Sequence, residues 1–114
     1  MPSYSPVFSA QFINYGASTP NTEFEVPSGF TAVVRDVSAF AQAGATVFDV
    51  RYQNDEDSPS IVFWGGNPIG IWVPSQWQGR VVVPELGIIS LGVESVDASF
   101  TCYVGGYLLR NTLT

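Results

Sequence analysis

The residues of this 114-residue chain that could do chemistry are few in kind. There are ten carboxylates, four arginines, one cysteine, and neither histidine nor lysine. Without histidine no Ser-His-Asp or Cys-His arrangement can be built. With lysine also missing and a single cysteine, there is no set for Schiff-base chemistry or for zinc. Gly65-Gly66 runs into Asn67-Pro68, where a phosphate loop requires Lys-Ser/Thr. Two carboxylates can in principle make a glycosidase, but most of the ten fall in turns or beside wet-face positions, and nothing marks a pair. The expectation is a non-enzymatic chain with no catalytic, cofactor or metal site.

Residues 54–59, NDEDSP, form an acidic loop. It lacks the alternating oxygen ligands, the glycine and the closing glutamate of an EF-hand, so it reads as a solvated loop tip. Cys102 has no intrachain partner and sits at an inward position of an apolar run, which makes it a small core hydrophobe. Trp64, Trp72 and Trp77 cluster among glycines and prolines. Such rings fill a core, anchor a subunit contact or stack on a sugar. Trp64 and Trp72 are the candidate ligand platform, and Trp77 is assigned to a subunit contact.

The elements that position these residues are strands. The organising stretch is residues 29–40, GFTAVVRDVSAF, and its expected partner is residues 98–109, ASFTCYVGGYLL. Both are long, β-branched and aromatic. The first does not keep one apolar face: Phe30, Ala32 and Val34 alternate, then the apolar set moves to Val37 and Ala39. A one-residue change of phase is the mark of a β-bulge, placed near Arg35–Asp36. The alternative is a strand covered on both sides. In the second stretch Phe100, Cys102, Val104 and Leu108 share a face, and Tyr103, Tyr107 and Leu109 share the other. Adjacent Gly105 and Gly106 point to a bulge or to close approach of another backbone. Tyr103, Tyr107 and Leu109 are therefore candidates for subunit contacts. Arg35, Asp36 and Arg80 join them, with Arg80 meeting Asp36 inside the subunit or across an interface.

Between these runs the pattern gives an arm over residues 1–8 and further strands near 6–15, 22–26, 45–53, 60–64, 69–73, 77–84 and 87–93. Residues 27–29 and 84–87 read as turns, the second closing a hairpin. Asp49 and Arg51 fall side by side on a wet face. Eight or nine short strands and no helical period predict a single-domain, all-β, antiparallel β-sandwich over residues 9–114, with a jelly-roll-like topology.

Composition bounds the partners. Charged residues are only 12% and aromatics 14%, so part of the aromatic surface is expected in contacts between copies of the chain. The net charge of −6, with no basic cluster, excludes nucleic acid and anionic membrane surfaces as partners. Residues 1–12 have no basic start and are broken by prolines, unlike a signal peptide. The uncharged residues 58–79 contain Pro59, Pro68 and Pro74 and do not read as a membrane helix.

Three pieces in order carry a family resemblance. They are Val26-Pro27-Ser28-Gly29-Phe30 running on through Ala32-Val33-Val34-Arg35-Asp36-Val37, then Trp77-Gln78-Gly79-Arg80-Val81-Val82, then Gly106-Tyr107-Leu108-Leu109. Over residues 26–110 the chain resembles small β-structured virion proteins of long-tailed bacteriophages of actinobacteria, the minor tail proteins and capsid decoration proteins. The resemblance implies assembly into a virion and supplies no catalytic residues. It implies a homo-oligomer, by analogy a trimer, with other tail or capsid proteins as partners and the virion as location. A decoration protein on the head and a carbohydrate-binding host-attachment module are the alternatives.

Overall fold

The computed structural model describes residues 7–16, 21–40, 48–66, 75–93 and 100–111. They form eight strands: β1 (Val7–Tyr15), β2 (Glu23–Glu25), β3 (Phe30–Phe40), β4 (Phe48–Gln53), β5 (Ile61–Gly66), β6 (Ser75–Val83), β7 (Ile88–Val93) and β8 (Thr101–Arg110). Two four-stranded sheets pack face to face, in the orders β1-β8-β3-β6 and β2-β7-β4-β5. Every pairing is antiparallel. This is the double Greek key order of a jelly roll, so the chain is an all-β sandwich as its strand pattern predicts.

The two organising stretches do pair, from Phe30↔Arg110 to Phe40↔Thr101, and form the centre of the first sheet. The register slips between Val34 and Asp36 against both neighbours, so the bulge falls at Arg35. Val34 and Val37 consequently both face inward, which neither strict alternation nor a two-sided strand would give. A second slip lies between Gln11 and Ile13 of β1, opposite Gly105 and Val104. There Phe12 and Ile13 are both buried although adjacent in sequence.

The sandwich core takes Phe12 and Ile13 from β1, Ala32, Val34, Val37 and Ala39 from β3, and Phe48 and Val50 from β4. Val83, Ile89, Leu91, Phe100, Cys102 and Val104 complete most of it. Phe100 is its hub, with ring centroids 5.4 Å from Phe48 and 5.9 Å from Tyr15. Burying such side chains is worth about 1.5–3 kcal/mol each, enough to hold the fold without disulfide or metal.

Two expectations change. The turn after Val83 does not close a hairpin, because β6 and β7 lie in different sheets. Its backbone is engaged elsewhere: Leu86 N donates to Val26 O at 2.8 Å, and Gly87 O accepts from Val26 N at 2.8 Å. That clamp to the β2–β3 connection carries the chain across the sandwich. β1 begins at Val7, inside the segment expected to be an arm. Residues 1–6 and the strand expected at 69–73 lie outside the described residues.

The Pro27–Gly29 turn forms as predicted. Phe30 N donates to Pro27 O at 3.2 Å, and Gly29 takes φ +88°.

Candidate functional site

The outer face of the β1-β8-β3-β6 sheet gathers most of the residues singled out in the sequence. Paired residues across antiparallel strands share a face, so the register lays them out in rows. One row runs Val82, Val33, Tyr107 and Ser9; the next runs Gln78, Asp36, Gly105 and Gln11; a third runs Gln76, Ser38, Tyr103 and Asn14. Leu109 lies beyond Tyr107, between Val7 and Thr31. Arg35 and Arg80 stand exposed at the bulge that separates the first two rows.

The apolar row is the least expected part. Val33 is buried although it faces away from the core, flanked in register by Tyr107 and by Val82, which is 50% exposed. The sequence signal was present: Val33 belongs to a run of three apolar residues, and three in succession cannot all point inward from a strand.

Below this row the face sinks into a hollow of about 350 Å³, lined by Ala10, Gln11, Asp36, Ser38, Tyr103, Gly105 and Gly106. The glycine pair makes it. A Cβ on Gly106 would run into the backbone of Val33, and one on Gly105 would come within 3.0 Å of Asp36 Oδ1. Only glycine lets β8 lie this close to the bulged strand, and the missing side chains leave the depression. Its walls offer a carboxylate, an amide, a hydroxyl and an aromatic ring, a set suited to hydrogen-bonding neutral polar groups. Gln11 and Ser38 escaped the sequence reading because nothing local distinguishes them. They become neighbours only through the β1–β8–β3 register.

Arg80 and Asp36 share this outer face, yet no ion pair joins them. Among the described residues the ion pair is Asp49–Arg51, on the outer face of the other sheet. There Arg51 Nη2 lies 2.6 Å from Asp49 Oδ1 and Nε lies 2.9 Å from the same oxygen. It was expected from sequence, and at about one-third exposure contributes little.

The two described tryptophans, Trp64 and Trp77, pack inward. Trp64 packs edge-on against Phe48 at 5.0 Å, and Trp77 lies 5.0 Å from Phe63. Both rings pack against the core, so Trp77 is separated from the outer-face candidates and is not covered by Arg80, which points the other way. Trp64 is half-buried. A third slip, between β4 and β5, turns Phe63 as well as Trp64 toward the core. Trp72 lies outside the described residues.

Cys102 is fully buried, and burial pushes its thiol up from 9.0 to about 12. That is the inert core thiol its position predicts. In the acidic loop, Asp55 Oδ1 accepts from Asp57 N at 2.9 Å and Ser58 Oγ at 3.0 Å, so this carboxylate shapes the turn. Asn21 braces β1 beside its bulge. Its Oδ1 accepts from Asn14 N at 2.9 Å and its Nδ2 donates to Phe12 O at 2.8 Å. No helix among the described residues is long and apolar enough to cross a membrane.

The site is thus a broad, mostly uncharged sheet face with one polar hollow. Compared with family models, curated proteins and solved structures, the chain matches none.

Proposed function

We propose that the chain is a non-enzymatic structural protein of a long-tailed bacteriophage virion, a homo-oligomeric minor tail protein docking through the outer face of its β1-β8-β3-β6 sheet. The observation that carries this reading is the strand order of the two sheets. Jelly rolls recur as viral coat subunits and as lectin domains, and fold alone does not choose between such uses. The resemblance of residues 26–110 to small phage virion proteins favours the first. So does an outer face that presents Tyr103, Tyr107, Leu109 and a half-exposed Val82, residues of the kind that anchor protein contacts. A capsid decoration protein draws on the same support and differs only in where it sits.

Mass spectrometry of purified virions, split into heads and tails, tests the reading. Recovery with the tails at low copy is the expected result. Recovery with the heads in high copy makes the chain a decoration protein, and absence from both ends the virion assignment.

One observation favours a second reading, a carbohydrate-binding host-attachment module. The hollow of about 350 Å³ sets Tyr103 beside Gln11, Asp36 and Ser38, groups that pair with sugar hydroxyls while a ring packs on the sugar face. Calorimetric titration with host cell-wall glycans decides it: heat that disappears in Tyr103→Ala supports the module, and no heat at millimolar glycan removes it.

A further inference from the structure

The two outer faces of the sandwich differ in charge. On the β1-β8-β3-β6 face, Arg35 and Arg80 are exposed and make no ion pair among the described residues; the one carboxylate there is Asp36. On the opposite face Glu23 and Glu25 are exposed on β2, and the Asp49–Arg51 pair neutralises itself. The loop at 54–58 adds Asp55, Glu56 and Asp57, all exposed, which share a hollow of about 430 Å³ with Glu25, Leu86 and Ile88. That side therefore presents four carboxylates around two apolar side chains, one of them the 51%-exposed Leu86, with Glu23 as a fifth on β2.

From this asymmetry we infer that the protein associates with a second copy of itself head to tail. The arginine-bearing face of one copy covers the acidic face of the next. The inference rests on the assembly reading above and gives it a geometry. A two-fold contact through the acidic face would set five carboxylates against five, and one through the other face would set both arginines against their copies with only Asp36 to offset them. The head-to-tail contact sets Arg35 and Arg80 against the acidic cluster and so relieves the larger like-charge repulsion. It also covers apolar surface on both sides, Tyr107 and Val82 on one and Leu86 and Ile88 on the other. Because the two patches lie on opposite faces, each copy keeps one of each free for a further neighbour. Such heterologous contacts close into rings when the rotation permits.

Charge reversal on the purified full chain tests this. Sedimentation velocity should show oligomers that dissociate as sodium chloride rises from about 20 mM to about 500 mM, because salt screens the contact. Arg35→Glu/Arg80→Glu should weaken association by about tenfold or more. Glu23→Arg/Glu25→Arg should do the same on its own, and a one-to-one mixture of the two variants should reassemble, since each supplies the face the other needs. Circular dichroism checks that both fold. If the glutamate variant misfolds, Arg35→Gln/Arg80→Gln carries the same test with a smaller loss. A wild-type chain that is monomeric under all conditions overturns the inference. So does a Glu23→Arg/Glu25→Arg variant that assembles like wild type, which would point to a two-fold contact through the arginine face. Neither result depends on virion location, so this contact and the virion assignment can fail separately.

Discussion

An alanine at Gly106 places a methyl carbon against the carbonyl of Val33, where the neighbouring strand cannot retreat without breaking the β3–β8 ladder. Gly106→Ala should therefore cost about 3 kcal/mol or more, in the range kept for strained core changes. Gly105→Ala meets only the end of the Asp36 side chain, which can rotate away, and should cost about 1 kcal/mol. Urea denaturation of both variants checks the contrast, and equal losses would mean that β8 is not pinned by its neighbour's backbone. Cys102 gives a pH prediction. Its folded value of about 12 lies above the ordinary 9.0, so between these values the folded state holds a proton that the unfolded state has lost. The contribution of this thiol is fully present below pH 9 and falls as pH rises toward 12. Native protein at pH 8 should resist thiol reagents until unfolded, and rapid labelling of the native chain would contradict the burial. The identity and inward position of Cys102 were legible in the sequence. The hollow beside Asp36 was not, because its walls come from three strands whose register no local pattern records.

Strands and their faces were the most legible features, since a two-residue period carries the information within each strand. The phase change at Arg35 was readable for that reason: it interrupts a period that resumes on the other side. Which strands join which sheet was less accessible. The segment after Val83 looks like half of a hairpin, because proline, glycine and flanking apolar runs are what a hairpin requires. What redirects it is the pair of hydrogen bonds to Val26, a partner 60 residues upstream of Leu86 in the sequence. The bulge supplies the test at this scale. Deleting Arg35 removes the extra residue, so Val34 and Asp36 meet Gly106 and Gly105 in unbroken alternation and both the Ala32–Val34 half and the Val37–Ala39 half keep their inward face. The deletion variant should therefore still fold, with its loss confined to the β3–β6 register, whereas Arg35→Ala keeps the bulge and should change stability by about 0.5 kcal/mol or less. Circular dichroism and thermal melts of the pair decide the matter; an unfolded deletion variant would show that the bulge itself is required.

For the molecule as a whole, the core is one cluster shared by both sheets, and Phe100 sits where they meet. Phe100→Ala should cost about 3–5 kcal/mol, the usual toll of emptying a buried aromatic site. Loss should appear as one cooperative transition, because neither sheet buries its inner face without the other. Two separate transitions by fluorescence and circular dichroism would contradict that coupling. The outer face of the first sheet keeps Tyr103, Tyr107, Leu109 and Val82 partly exposed. The asymmetry between the two faces was hidden, since it depends on which sheet each charged residue joins.

The position of β8 has a consequence for how the protein is made. This strand lies between β1 and β3 and joins them into one sheet, yet it is the last of the eight to leave the ribosome. Until it emerges, β1 and β3 have no common neighbour, and each offers open backbone to any extended chain nearby. The central pairing therefore waits until the other seven strands have been made. Fast synthesis would accumulate chains in this waiting state, so slowing production, more than changing the finished surface, is the lever against misassembly.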